Sequence, residues 1–215
     1  MTAPLRLSVW FDYASPYSYL AVSRVEGLVA ARAANGQAIE IDWRPFLLGP
    51  IFQRRSANPS PFQDVSPSER GYRWRDVARH AALYDIPWTL PTRYPPMGLN
   101  AARLTLVALE EGWGRDLIRA AYSAAFAEDR DIADPEVLRQ LASSLGRDGE
   151  AALRKAQSER VKIQLTQQVE TAINGGLFGA PSFVVGASAE GTGGEVFWGN
   201  DRLEQALTWA EKPWL

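Results

Sequence analysis

The chain has 215 residues, with 23 Lys and Arg against 25 Asp and Glu, a net charge of -2, and 46% hydrophobic residues. It contains no Cys, which excludes an internal disulfide, a thiolate metal site and a cysteine nucleophile. The near-neutral charge without a basic run excludes an electrostatic footprint for nucleic acid or an anionic membrane and leaves a small partner as the expectation.

The opening MTAPLRLSVWFDY lacks the charged start and long apolar run of a secretory signal, and no window reaches the roughly 20 apolar residues of a membrane span. A soluble, cytoplasmic chain is expected. Leu5, Leu7, Val9 and Phe11 alternate with other residues and predict a strand. A helix follows, with Ser15 at the N-cap and Pro16 at its first position. Ala21, Val22, Val25, Leu28 and Val29 form its apolar stripe, and Asn35-Gly36 its stop. Ile39, Ile41 and Trp43 alternate again, so residues 5–44 predict a parallel, right-handed βαβ unit.

Pro45, Pro50, Pro59 and Pro61 mark residues 45–65 as a long irregular loop. Ser66-Pro67-Ser68-Glu69 is a capping-box pattern opening a helix with Trp74, Val77, Ala78 and Ala81 on one face. Further helices are predicted over 98–111, 114–127, 134–145 (Asp134 as cap) and 149–173, the last stopped by Asn174-Gly175-Gly176. SFVVG and EVFWG then read as two strands joined by the Gly191–Gly194 turn, and Asn200 or Asp201 as the cap of a final helix carrying Leu203, Ala206 and Leu207. The order is βαβ, helices, ββα, an α/β chain with units at 1–65 and 175–215 and an inserted helical unit at 66–174.

The slot Ser15-Pro16-Tyr17-Ser18 opens a helix where a thiol oxidoreductase would carry Cys-x-x-Cys. Locally, Ser15 reads as an N-cap worth about 1 kcal/mol. Ser18 reads as a polar residue of the first turn. His80 is the only histidine and has no second histidine with which to build a metal site, so packing or solvent contact is its expected role and no metal is expected.

Three separated stretches, FDYASPYSYLA from Phe11, INGGLFGAPSFVV from Ile173 and EVFWGNDRL from Glu195, together resemble the 2-hydroxychromene-2-carboxylate isomerases and kappa-class glutathione transferases of the DsbA-like thioredoxin superfamily. RPFLLGPIF, GYRWRDVARHAALYDIP and VKIQL support the resemblance, which spans nearly the whole chain. It implies a thioredoxin-like fold with a large all-helical insertion, glutathione as cofactor, an aromatic substrate and a homodimer. It also implies that Ser15 holds the cofactor's thiolate and that Ala180 pairs with its cysteinyl part beside a cis Pro181. Trp198, Asn200, Asp201 and Asn58 are implied as further cofactor contacts, and Tyr94 as a substrate neighbour. SANPSP departs from the family's usual pattern around Asn58, and Gln53 stands where relatives carry a lysine, leaving Arg54 or Arg55 to recognise a carboxylate. A kappa-like transferase or peroxidase, or a non-catalytic binding module, would carry the same stretches.

Overall fold

The computed structural model describes residues 5–34, 38–54, 62 and 65–214. Alternation in β1 (Leu5–Phe11) sends Leu7, Val9 and Phe11 into one apolar cluster and Trp10 into another. Both clusters are covered, so residues 7–11 are all buried. Helix α1 (Pro16–Ala33) leads to β2 (Ile39–Pro45), which pairs with β1 in parallel, Leu5 opposite Ile39 and Phe11 opposite Pro45. Strands β3 (Ser182–Val185) and β4 (Glu195–Trp198) complete a four-stranded sheet in the order β2-β1-β3-β4, with β3 antiparallel to both neighbours.

Between β2 and β3 the described residues form helices and loops without a strand. The helices are α2 (Leu48–Arg54), α3 (Pro67–Leu83), α4 (Leu99–Glu110), α5 (Gly114–Phe126), α6 (Pro135–Ser144), α7 (Gly149–Ala156) and α8 (Glu159–Asn174). After β4 a 3-10 turn (Asn200–Arg202) runs into α9 (Leu203–Glu211). No helix among the described residues is long and apolar enough to cross a membrane. The predicted caps of α3 and α6 form: Ser66 and Glu69 bond reciprocally, and Asp134 accepts from the Glu136 N–H at 2.8 Å.

Three expectations need correction. Residues 45–65 are not one irregular loop, because β2 runs to Pro45 and α2 occupies Leu48–Arg54. Pro50 falls in the first turn of α2, where its missing N–H has no intrahelical role. The predicted helix over 149–173 is two helices, since Ser158 caps a new one by accepting from the Val161 N–H. The five-residue step from Ala156 to Val161, within an otherwise four-residue apolar repeat, marks that break. Neither Asn200 nor Asp201 caps the last helix through its side chain, for reasons that belong to the site.

The helices after β2 share one core with the sheet. Phe11 and Tyr13 of the β1 end meet Tyr122 of α5 at ring separations of 6.0 and 4.7 Å, and the Tyr122 hydroxyl donates to the Asp12 carbonyl at 2.8 Å. Truncating a buried ring of this kind costs about 3–5 kcal/mol. Packing against α5 therefore fixes the chain at the residue from which the next turn departs.

Candidate active site

The chain leaves β1 through a turn that Asp12 organises. Its carboxylate is buried; Oδ1 accepts from the Ala14 N–H at 2.8 Å and Oδ2 from the Leu48 N–H at 2.7 Å, at the start of α2. Burial pushes the Asp12 carboxyl above its ordinary value, and the two N–H donors pull in the opposite direction. The Asp12 carbonyl accepts from the Ser15 N–H at 2.9 Å, which closes the turn.

Ser15 is buried at 6% exposure and has the extended backbone of an N-cap. Its Oγ accepts from the Ser18 N–H at 3.1 Å and donates its one proton to the Ala180 carbonyl at 2.9 Å. The Ala180–Pro181 bond is cis, and the Pro181 carbonyl accepts from the Gly199 N–H at 2.9 Å. Ser15, Ala180, Pro181 and Gly199 are thus joined into one hydrogen-bonded run, although the first and last are far apart in sequence. Two helix N-termini, those of α1 and of the 3-10 turn leading to α9, contribute to it, and such termini favour negative charge.

Asn200 is buried, and its Oδ1 accepts from the Arg24 guanidinium at 3.0 Å. That inward turn is why it does not cap α9. Asp201 is exposed and pairs with Arg202 at 3.1 Å, so its carboxylate also leaves the helix end open. Trp198 is exposed; its indole lies over Gly179 and meets Phe178 edge-on at 4.9 Å. A side chain at Gly179 would collide with that indole.

Tyr94 donates its hydroxyl to the Ala14 carbonyl at 3.0 Å, immediately before Ser15. Its ring belongs to an aromatic group with Phe62 (5.1 Å) and Trp74 (4.7 Å), and Tyr17 of the Ser15 slot packs on Phe62 at 6.3 Å. The Tyr17 hydroxyl donates to Asp76 at 2.8 Å, and burial raises its pKa.

Residues 6–208 match the model of the DSBA-like thioredoxin domain. The chain belongs to this family. A 2-hydroxychromene-2-carboxylate isomerase of Sphingobium xenophagum is 28% identical over 92% of this chain and 94% of its own length. A protein of Caenorhabditis elegans named glutathione s-transferase kappa 2 is 28% identical over 95% of this chain and 91% of its own. A solved 2-hydroxychromene-2-carboxylate isomerase shares the fold with a TM-score of 0.82 at 21% identity, covering 96% of this chain and 95% of that one.

In this DSBA-like chain, then, Ser15, Ala180, Pro181 and Tyr94 gather around the α1 terminus, Asn200 is buried against Arg24 further along α1, and other predicted residues do not join them. Arg54 ends α2 and pairs with Glu170 of α8 at 2.6 Å, and Gln53 beside it is exposed. Asn58 and Arg55 lie outside the described residues. Ser18 is buried in the first turn of α1. His80 keeps its Nδ1 on the Asp76 carbonyl at 3.1 Å and stacks on Tyr84 at 5.9 Å, a helix-surface role. No group of three or more His, Asp or Glu side chains that could hold a metal occurs among the described residues. Sequence reasoning missed Asp12 and Arg24. An acidic residue closing an apolar strand three positions before the slot was the available signal for Asp12; Arg24, one of several charged residues on α1, gave none.

Proposed function

We propose that the chain is a glutathione-dependent cis/trans isomerase that interconverts 2-hydroxychromene-2-carboxylate and trans-o-hydroxybenzylidenepyruvate, a step of aromatic catabolism, as a cytoplasmic homodimer. The observation that carries the reading is the Ser15 hydroxyl poised on the Ala180 carbonyl beside cis Pro181 at a helix N-terminus. The name of the Sphingobium relative supports the substrate.

The residues present fit glutathione. Bound glutathione supplies a thiolate that adds reversibly to a conjugated enone and so lets its double bond rotate. The Ser15 proton can turn from the Ala180 carbonyl to a negatively charged sulfur, while its Oγ keeps accepting from the Ser18 N–H. That turn frees the Ala180 carbonyl to accept an amide N–H of an extended peptide-like ligand. The exchange trades one hydrogen bond for two and favours the charged form of the thiol, lowering its pKa from the reference of about 8.5. The open N–H groups before α9 suit a carboxylate, and the aromatic group of Tyr17, Trp74 and Tyr94 suits a flat ring.

The test is product analysis of the full chain with substrate and glutathione. An isomer with no net glutathione consumption is the expected result. A lasting conjugate or oxidised glutathione would mark a kappa-like transferase or peroxidase, the alternative favoured by the relative of that name, which is also 28% identical. No glutathione binding by calorimetry would leave a non-catalytic binding module.

A further inference from the structure

We propose that Arg73 of α3 is the specificity-determining residue that meets the carboxylate of the aromatic substrate, an inference that rests on the isomerase reading above. That substrate is a flat ring carrying one negative charge, and the aromatic group beside Ser15 provides for the ring alone. The residues expected to provide for the charge are engaged or uncharged: Arg54 is paired with Glu170 at 2.6 Å, and Gln53 is an exposed neutral amide.

Arg73 stands at the edge of those rings. It precedes Trp74, which packs on Phe62 at 4.4 Å and on Tyr94 at 4.7 Å. Asp76, three residues on and so on the same side of the helix, accepts from the Tyr17 hydroxyl at 2.8 Å. Burial raises the Tyr17 pKa and Asp76 adds to the rise, whereas the charge of Arg73 lowers it, so guanidinium and hydroxyl lie within electrostatic reach. Tyr17 belongs to the Ser15 slot, and Tyr94 is bonded to the residue before Ser15. A ring resting on this group therefore has both Ser15 and Arg73 as neighbours. The guanidinium is also available. Its ion pair among the described residues is with Glu69 at 3.9 Å, beyond hydrogen-bond distance. The other Glu69 oxygen holds the Ser66 N–H at 3.2 Å and hydroxyl at 3.0 Å in the helix cap. The Arg73 side chain is 31% exposed, open to a ligand yet partly sheltered from water. Its planar fork of donors suits a carboxylate through two parallel bonds.

In excess glutathione, the full chain is titrated calorimetrically with trans-cinnamate, a flat conjugated acid, and with cinnamamide, its uncharged counterpart. The wild type is expected to bind the acid about tenfold more tightly than the amide, and Arg73→Gln to bind both alike. Arg73→Lys is expected to keep part of the preference, because a point charge remains without the fork. Arg75→Gln removes the same charge two residues on, where the helix presents a different side, and is expected to keep all of it. Melting curves confirm that each variant is folded. In turnover of 2-hydroxychromene-2-carboxylate, Arg73→Gln is expected to raise KM about tenfold with kcat nearly unchanged, as loss of uniform binding requires. Equal binding of acid and amide by the wild type, a preference that survives Arg73→Gln, or one lost equally in Arg75→Gln overturns the role of Arg73 and leaves the isomerase reading standing. A preference that depends on Arg73 in a chain that forms no isomer overturns that reading and keeps the carboxylate recognition.

Discussion

The two helix N-termini at the site are finished in opposite ways. At α1 the cap is local: Ser15 accepts from Ser18 three residues on, and its proton remains for Ala180. At the 3-10 turn before α9 neither candidate cap serves, because Asn200 turns inward to Arg24 and Asp201 outward to Arg202. The first terminus offers a proton that can be redirected, and the second has no side-chain cap among the described residues. One arrangement suits a charge that must be held differently as a reaction proceeds; the other suits a charge that is simply bound.

The largest expected effect is at the turn that presents the first terminus. Asp12→Ala leaves the Ala14 and Leu48 N–H groups without their acceptor, each at a cost of about 1–3 kcal/mol, and should lower the urea midpoint more than any cap substitution. Because burial raises the Asp12 pKa in the folded chain, the stability that comes with its protonation is fully present below the unfolded value and is lost as pH rises through the folded one. Against the non-titrating Asp12→Asn, the wild type should therefore gain relative stability as pH falls from neutrality, as read by paired urea titrations.

A cysteine in each terminus separates them next. Ser15→Cys should attack oxidised glutathione, forming a mixed disulfide and releasing one reduced glutathione, visible by intact mass and reversed by reductant. Asn200→Cys should stay free under the same conditions. A mixed disulfide at position 200 would erase the distinction.

Ser158→Ala removes a cap remote from the site and should cost about 1 kcal/mol without changing glutathione affinity. Arg54→Ala is the smallest case. Its pair with Glu170 is exposed on both sides, so stability should change by at most about 1 kcal/mol. A raised KM for an anionic substrate would show that Arg54 leaves Glu170 to meet it.

What the sequence disclosed follows the range of the interactions. The alternation of β1, the Ser15-Pro16 start of α1 and the Ser66–Glu69 box are written within a few residues, and all of them form. Helix α2 is hidden in a proline-rich stretch that reads as loop, because the acceptor at its first turn, Asp12, lies 36 residues earlier. The inward turn of Asn200 depends on Arg24 across 176 positions, so a residue that looks like a cap becomes something else. The meeting of Ser15 with Ala180 came from the resemblance, since no local pattern joins positions 165 apart.

The proposed chemistry rests on the Ser15 proton moving from Ala180 to a bound sulfur. It is tested most directly by thiolate absorbance against pH, with glutathione bound to the wild type and to Ser15→Ala. A bound-thiol pKa below about 8.5 is expected in the wild type, with a clear rise in the variant. Turnover should fall by about ten- to a hundredfold, as loss of one hydrogen bond to a charged group requires. An unchanged pKa and an unchanged rate would make Ser15 a helix cap and nothing more.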